Sequence, residues 1–150
     1  MFNIRLMTME DYDGVYQLWV SAGMGLNTTD DSREGIEKYL KRNPTTNFVA
    51  VEDGILIGAV LAGHDGRRGY IQHMTVMPEY RHKGIGSRLV DCTMKALEKE
   101  GIKKVALVAF KKNDIGNGFW ERIGFTVRND LYYRNKSIQE LEYHSSPYRE

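Results

Sequence analysis

Apolar and polar positions alternate from Phe2 to Met7, the period of a half-buried strand. Thr8 followed three residues later by Asp11 has the form of a capping box that opens a helix through about Ala22. Within that helix Val15, Leu18, Trp19 and Ala22 share one face. Gly23 to Asp30, rich in Gly, Asn and Thr, reads as a loop. Asp31 with Glu34 is placed to cap a second helix that turns Ile36, Tyr39 and Leu40 inward before Pro44 closes it. Asn47 to Glu52 and Ile55 to Ala62 read as antiparallel strands joined by Asp53-Gly54, a dipeptide that accepts positive φ angles. A turn over His64 to Gly69 leads to a strand from Tyr70 to Met77 that stops at Pro78, which has no amide to give a ladder.

The pattern then changes to a helical stripe, with Ile85, Leu89, Cys92, Thr93 and Ala96 on one side of a helix from about Gly84 to Glu100 that ends at Gly101. Lys104 to Phe110 is an apolar strand. A strand, helix, strand succession of this length predicts a parallel pair with a right-handed crossover, so the sheet is mixed and the fold class is α/β. Asn113 to Ile123 reads as a short helix. Phe125 to Val127 and Leu131 to Arg134 read as a last hairpin, and Ser137 onward as a loosely attached tail. The expectation is one domain over residues 1–136 followed by a tail over 137–150.

Composition narrows the function classes. The chain has 150 residues, 41% of them hydrophobic and 27% charged, close to ordinary globular averages. Lys and Arg number 21 against 20 Asp and Glu, a net charge of +1, which removes the basic footprint of a general nucleic-acid binder. Cys92 stands alone, so neither an intramolecular disulfide nor a multi-cysteine metal cluster is expected; it reads as a small core residue. The four histidines are scattered without ligand spacing, so no metal site is expected. No apolar run approaches the roughly 20 residues of a membrane span. Arg5 and Glu10 interrupt any signal-peptide pattern, and a cytoplasmic protein that avoids membranes is expected.

The chemistry sits in Met74-Thr75-Val76-Met77-Pro78-Glu79-Tyr80-Arg81-His82-Lys83-Gly84-Ile85-Gly86-Ser87, where a strand gives way to a helix. The first amides of a helix lack intrahelical partners and lie at the positive end of its dipole, so such a turn can cradle phosphate. Gly84 and Gly86, without Cβ, let a diphosphate approach the backbone, and Arg81, His82 and Lys83 add charge. The run lacks the Gly-Lys-Ser/Thr of a P-loop, and also the third glycine and later acidic residue of a dinucleotide fingerprint. A phosphorylated ligand other than ATP or NAD is implied.

Val76-x-Pro78-x-Tyr80-Arg81-x-x-Gly84-Ile85-Gly86 resembles the acyl-coenzyme A motif of the GNAT N-acetyltransferases. A second block, Asn113-x-x-Gly116-x-x-Phe119-Trp120-Glu121-Arg122-x-Gly124-Phe125, is similar to another of that family, and the two stand a helix and a strand apart, as in the family. The likeness spans roughly residues 48 to 126. With the Asp65-Gly66-x-Arg68-Gly69 turn it looks like the uncharacterised or ribosomal-protein-modifying bacterial branch. The resemblance implies a sheet splayed between the strand at Tyr70 and the strand at Lys104. It implies acetyl-CoA as cosubstrate with its pantetheine along Met74, Thr75 and Val76, and its diphosphate on the amides of His82 to Ser87. Asn113, Gly116 and Phe119 would flank the other side. The acceptor would be a small-molecule or peptide amine, attacked directly in a ternary complex by a monomer or homodimer.

Catalysis by such a chain requires a neutral amine, a stabilised oxyanion and a leaving thiolate. At pH 7 a lysine amine of pKa ~10.4 loses its proton at a cost of roughly 4–5 kcal/mol, an α-amine near ~8 at about 1 kcal/mol. An amide in the Met74 to Val76 stretch is placed to hold the oxygen. The family often has a tyrosine as acid where Trp120 stands here, and indole does not give up its proton, so Trp120 would orient the thioester. The carboxylate base of the ribosomal-protein branch falls at Val108. Tyr70 and Gln72 match base positions of other branches and would relay the proton through water. His73 is better suited chemically but faces the opposite side of a regular strand, unless a bulge reverses it. Trp19, Asn27, Asp30, His64, Arg67 and Arg68 are candidates for the acceptor side. Trp120 and Val108 also keep open a non-catalytic acyl-CoA-binding sensor or complex subunit.

Overall fold

The computed structural model describes residues 1–149. Five strands form one sheet in chain order: β1 (Asn3–Leu6), β2 (Phe48–Glu52), β3 (Ile55–His64), β4 (Gly69–Val76) and β5 (Val105–Ala106). The first three junctions are antiparallel and β4 with β5 is parallel. The helices are α1 (Tyr12–Ser21), α2 (Arg33–Arg42), α3 (Ile85–Lys99) and α4 (Asp114–Arg122). No helix among the described residues is long and apolar enough to cross a membrane.

The two-residue period of the strands divides the core. Val49, Ala59 and Leu61 meet Val15, Leu18, Trp19, Leu26 and Ile36 on the α1 and α2 side. Ala50, Val60, Ala62 and Ile71 meet Ile85, Leu89, Val90 and Leu97 on the α3 side, with Phe119 and Trp120 of α4 and the following Ile123 packed against them. The β2–β3 turn takes positive φ at both Asp53 (51°) and Gly54 (77°), as that dipeptide predicts.

At the N-terminus the Thr8 amide donates to Asp11 Oδ2 at 2.9 Å, the reciprocal half of a capping box. Arg5 grips both oxygens of the same carboxylate at 2.8 Å. The Arg5 fork, ahead of the Thr8 amide, holds the Asp11 carboxyl below the usual carboxylate range. A carboxylate lowered on folding contributes stability above its unfolded value of about 4 and loses it as pH falls through the lower folded value. The urea midpoint of the native chain therefore falls as pH drops below about 4, and Asp11→Asn flattens that part of the profile; an equally steep profile in the variant would contradict the assignment.

Three sequence expectations are corrected. Ser32 rather than Asp31 caps α2, its Oγ accepting from the Gly35 amide at 3.0 Å, because Asp31 is turned inward. The segment 104–110 pairs only at Val105 and Ala106 before it leaves β4. The expected hairpin over 125–134 is absent: that stretch is irregular, Arg128 bridges to Asp130 at 2.8 Å, and Val127, Leu131, Tyr132 and Tyr133 are exposed. With only two residues of β5 in the sheet, its outer edge offers no long ladder to a further strand.

The tail is attached rather than loose. The Thr28 amide donates to Glu142 O at 2.9 Å, His144 N to Leu26 O at 2.8 Å, and Ser146 Oγ to Gly23 O at 2.7 Å. Arg149 lies over the rings of Tyr143 (4.2 Å) and Phe110 (5.4 Å). The loop between α1 and α2 is thereby clamped against the segment after β5.

Candidate active site

Divergence of β4 from the chain after Ala106 opens a wedge of about 810 Å³. One wall is β4 from His73 to Val76, and the facing wall is Leu107 to Phe110 with the start of α4. Ala22, Met24, Gly25 and Tyr148 close one end; Arg81, His82 and the first turn of α3 close the other.

At that second end the chain leaves β4 through a 3-10 turn, Pro78–Tyr80, and enters α3 at Gly84 with φ 80°. His82 also takes a positive φ, 63°. The first hydrogen bond of α3 runs from the Arg88 amide to Gly84 O at 3.1 Å, and the amides of His82 through Ser87 have no acceptor among the described residues. Six successive free donors at a helix start, beside Arg81 and His82, are an arrangement suited to an anion. A Cβ added to Gly86 would stand 3.2 Å from Phe119 and 3.4 Å from Met74, so the side chains opposite already fill the space a larger residue would need. Lys83 does not line the wedge; its Nζ sits 5.2 Å over the Tyr80 ring. Every other residue expected at the cofactor lines it: Met74, Thr75, Val76, Arg81, His82, Gly84, Ile85, Gly86, Ser87, Asn113, Gly116 and Phe119. Asn113 caps α4, its Oδ1 accepting from the Gly116 amide at 3.0 Å.

The middle of the wedge is set by a bulge. Thr75 pairs with Ala59 and Gln72 with Leu61, so His73 and Met74 together oppose Val60. His73 takes φ 49°, a conformation that costs a residue with a Cβ about 1 kcal/mol or more. The bulge reverses the regular alternation and brings His73 to the wedge. Its Nε2 lies 2.8 Å from Asp31 Oδ1, and its ring packs tilted, at 58°, against Trp19 with centroids 5.0 Å apart. Asp31 is 5% exposed, and its Oδ2 accepts the Asn27 amide at 2.8 Å. Tyr12 donates to Asp31 O, fixing the loop to α1.

The remaining candidates separate by position along β4. Trp120 lines the wedge, edge-on to Phe119 (5.0 Å) and Phe125 (5.2 Å), and Val108 lines it with an exposed side chain. Tyr70 and Gln72 are not brought to it. Tyr70 pairs with Ala106 where the sheet is still closed, and burial pushes its phenol up. Of the acceptor candidates, His64 and Arg68 lie at the same closed end, His64 bonded to Glu100 at 3.1 Å. Trp19 is fully buried and reaches the wedge only through His73. Asn27 supports Asp31 with its amide, while its side chain holds Asp30 and Thr29. Sequence reasoning missed Asp31, Phe110 and Tyr148; for Asp31 the signal is a spare cap, since Ser32 alone satisfies the start of α2.

Residues 12–125 match the model of the Acetyltransferase (GNAT) family. An acetyltransferase of Pectobacterium atrosepticum is 29% identical over 140 residues, covering 93% of this chain and 99% of its own length. The crystal structure of Ard1 from Thermoplasma volcanium superposes with a TM-score of 0.75 at 20% identity, over 85% of this chain and 84% of that one. A predicted acetyltransferase of Clostridium acetobutylicum, crystallised with acetyl-CoA, superposes with a TM-score of 0.71 at 20% identity, over 90% and 96% of the two chains.

Proposed function

The chain belongs to the acetyltransferase (GNAT) family, and from that membership we propose that it transfers the acetyl group of acetyl-CoA directly to a primary amine within a ternary complex. Family membership decides for an enzyme over a passive acyl-CoA sensor. The observation that carries the donor is the row of free amides from His82 to Ser87 at one end of a wedge of about 810 Å³. Those amides, with Arg81 and His82, bind the diphosphate. The pantetheine lies along Met74 to Val76, where the splay leaves one edge of β4 without a neighbouring strand. Asn113 and Phe119 hold its opposite side.

The donor then presents its thioester beside the bulge. An amide of the Met74 to Val76 stretch stabilises the oxyanion as the nitrogen attacks, and Trp120 packs beside the sulfur. The acceptor enters from the end bounded by Met24, Gly25 and Tyr148. An amine of low pKa, such as a peptide α-amine, is favoured because its neutral form is reached at pH 7 for about 1 kcal/mol.

Thiol release from acetyl-CoA, followed in the presence of alanyl, seryl and methionyl peptides, spermidine and tyramine, tests this reading. Amine-dependent release with the acetylated amine recovered is expected, fastest with the α-amines. Tight coenzyme A binding with no amine-dependent release across the panel would overturn the proposed acceptor class.

A further inference from the structure

Resting on that reading, we infer that His73, oriented by Asp31, is the base that takes the proton from the attacking amine. Three observations converge on this ring. It sits at the bulge between the cofactor end and the acceptor end of the wedge. Its Nε2 is committed to a buried carboxylate at 2.8 Å. Its Nδ1 makes no hydrogen bond among the described residues and is not sealed from solvent. A carboxylate accepts only, so in the neutral ring Nε2 carries the hydrogen and Nδ1 holds the lone pair. That arrangement, with a base held in one tautomer by a buried carboxylate, is the geometry proton abstraction needs.

The support around the pair is over-determined. Asp31 spends its second oxygen on the Asn27 amide, and Trp19 fixes the plane of the imidazole. Besides Asp31, titratable and charged groups on the elements around His73 are Asp30, Tyr12, Tyr16, Tyr148 and Arg149, and Arg81, His82, Asp114 and Arg122 line the same wedge. Asp30 is engaged by Asn27, Tyr12 bonds to Asp31 O, and Arg149 is held over Tyr143 and Phe110. The positive φ at His73 is a backbone cost that a glycine would not carry.

In the step itself the amine lone pair forms the new C–N bond and the carbonyl electrons move to oxygen. Nδ1 takes one proton from nitrogen. As the carbonyl re-forms, the C–S bond breaks with its electron pair on sulfur, and the imidazolium proton passes to the thiolate directly or through water. Amine and acetyl-CoA give amide and free coenzyme A, with no other reactant.

The variants are His73→Asn and His73→Gly, both at home at positive φ, and Asp31→Asn. With the fastest acceptor of the peptide and amine panel, the His73 variants are expected to lose about 10²–10⁴-fold in kcat while coenzyme A affinity by calorimetry stays within about threefold. The acidic limb of the kcat pH profile disappears, and added imidazole partly rescues His73→Gly. Asp31→Asn loses less in kcat and keeps an acidic limb. Unchanged kcat and pH profile in both His73 variants would overturn the inference. A second measurement needs no acceptor: ¹⁵N NMR of the His73 ring in the full chain with coenzyme A bound. The Nε2–H tautomer is expected, and an Nδ1–H tautomer would overturn the inference even if no panel amine is acetylated, an outcome that would separately sink the proposed acceptor class.

Discussion

Gly86→Glu lowers the affinity for coenzyme A by more than about 100-fold, the loss of two charge-assisted hydrogen bonds or their equivalent in repulsion. Gly86 lies in the first turn of α3, among amides that have no acceptor of their own, and a Cβ there already meets Phe119 at 3.2 Å. A carboxylate at this place occupies the anion site and opposes the phosphates. Calorimetry with coenzyme A gives the affinity, and circular dichroism with a thermal melt shows that the sheet and the rest of α3 persist. If Gly86→Glu binds as tightly as the native chain, the diphosphate does not rest on these amides.

Trp19→Ala costs about 3–5 kcal/mol of stability, the range for truncating a large aromatic side chain in a core. Trp19 is wholly buried among Val15, Leu18, Leu26, Val49 and Leu61, and packs at a tilt against His73. Its Nε1 has no acceptor among the described residues, so packing rather than hydrogen bonding holds it. Trp19→Phe, which keeps an aromatic ring and removes that unpaired donor, therefore costs less than half as much. Urea unfolding of the three proteins measures both effects. A loss of only about 1 kcal/mol in Trp19→Ala, ordinary for a point substitution, would mean that the site collapses readily and that the His73 ring is not firmly backed.

Regular elements were legible because their signals are periodic and local. The β2–β3 hairpin follows from Asp53-Gly54, and α3 from the stripe Ile85, Leu89 and Thr93 bounded by Gly84 and Gly101. The turn with free amides that opens α3 was legible for the same reason, being built from the backbone of consecutive residues. The central pair was not. Asp31 and His73 are 42 residues apart, and each has an ordinary local explanation, a helix cap and a strand residue facing away. Only the bulge opposite Val60 and the cap supplied by Ser32 free them for one another. Tyr70 and Gln72, which the family resemblance implies as proton relays, do not line the wedge, because the sheet is still closed beside Tyr70. The docking of Ser146 on Gly23, and with it Tyr148 at the wedge, depends on contacts across almost the whole chain that no periodicity records.

The central claim is that the free amides at the start of α3 hold the diphosphate of acetyl-CoA and thereby aim its thioester along β4 at His73. A crystal structure of the complex with acetyl-CoA tests it in one measurement. Phosphate oxygens within about 2.7–3.2 Å of the amide nitrogens of residues 82–87, with the acetyl group beside the bulge, are the result expected here. An ordered acetyl-CoA whose phosphates lie away from those nitrogens, or whose acetyl group lies outside the wedge, would contradict it.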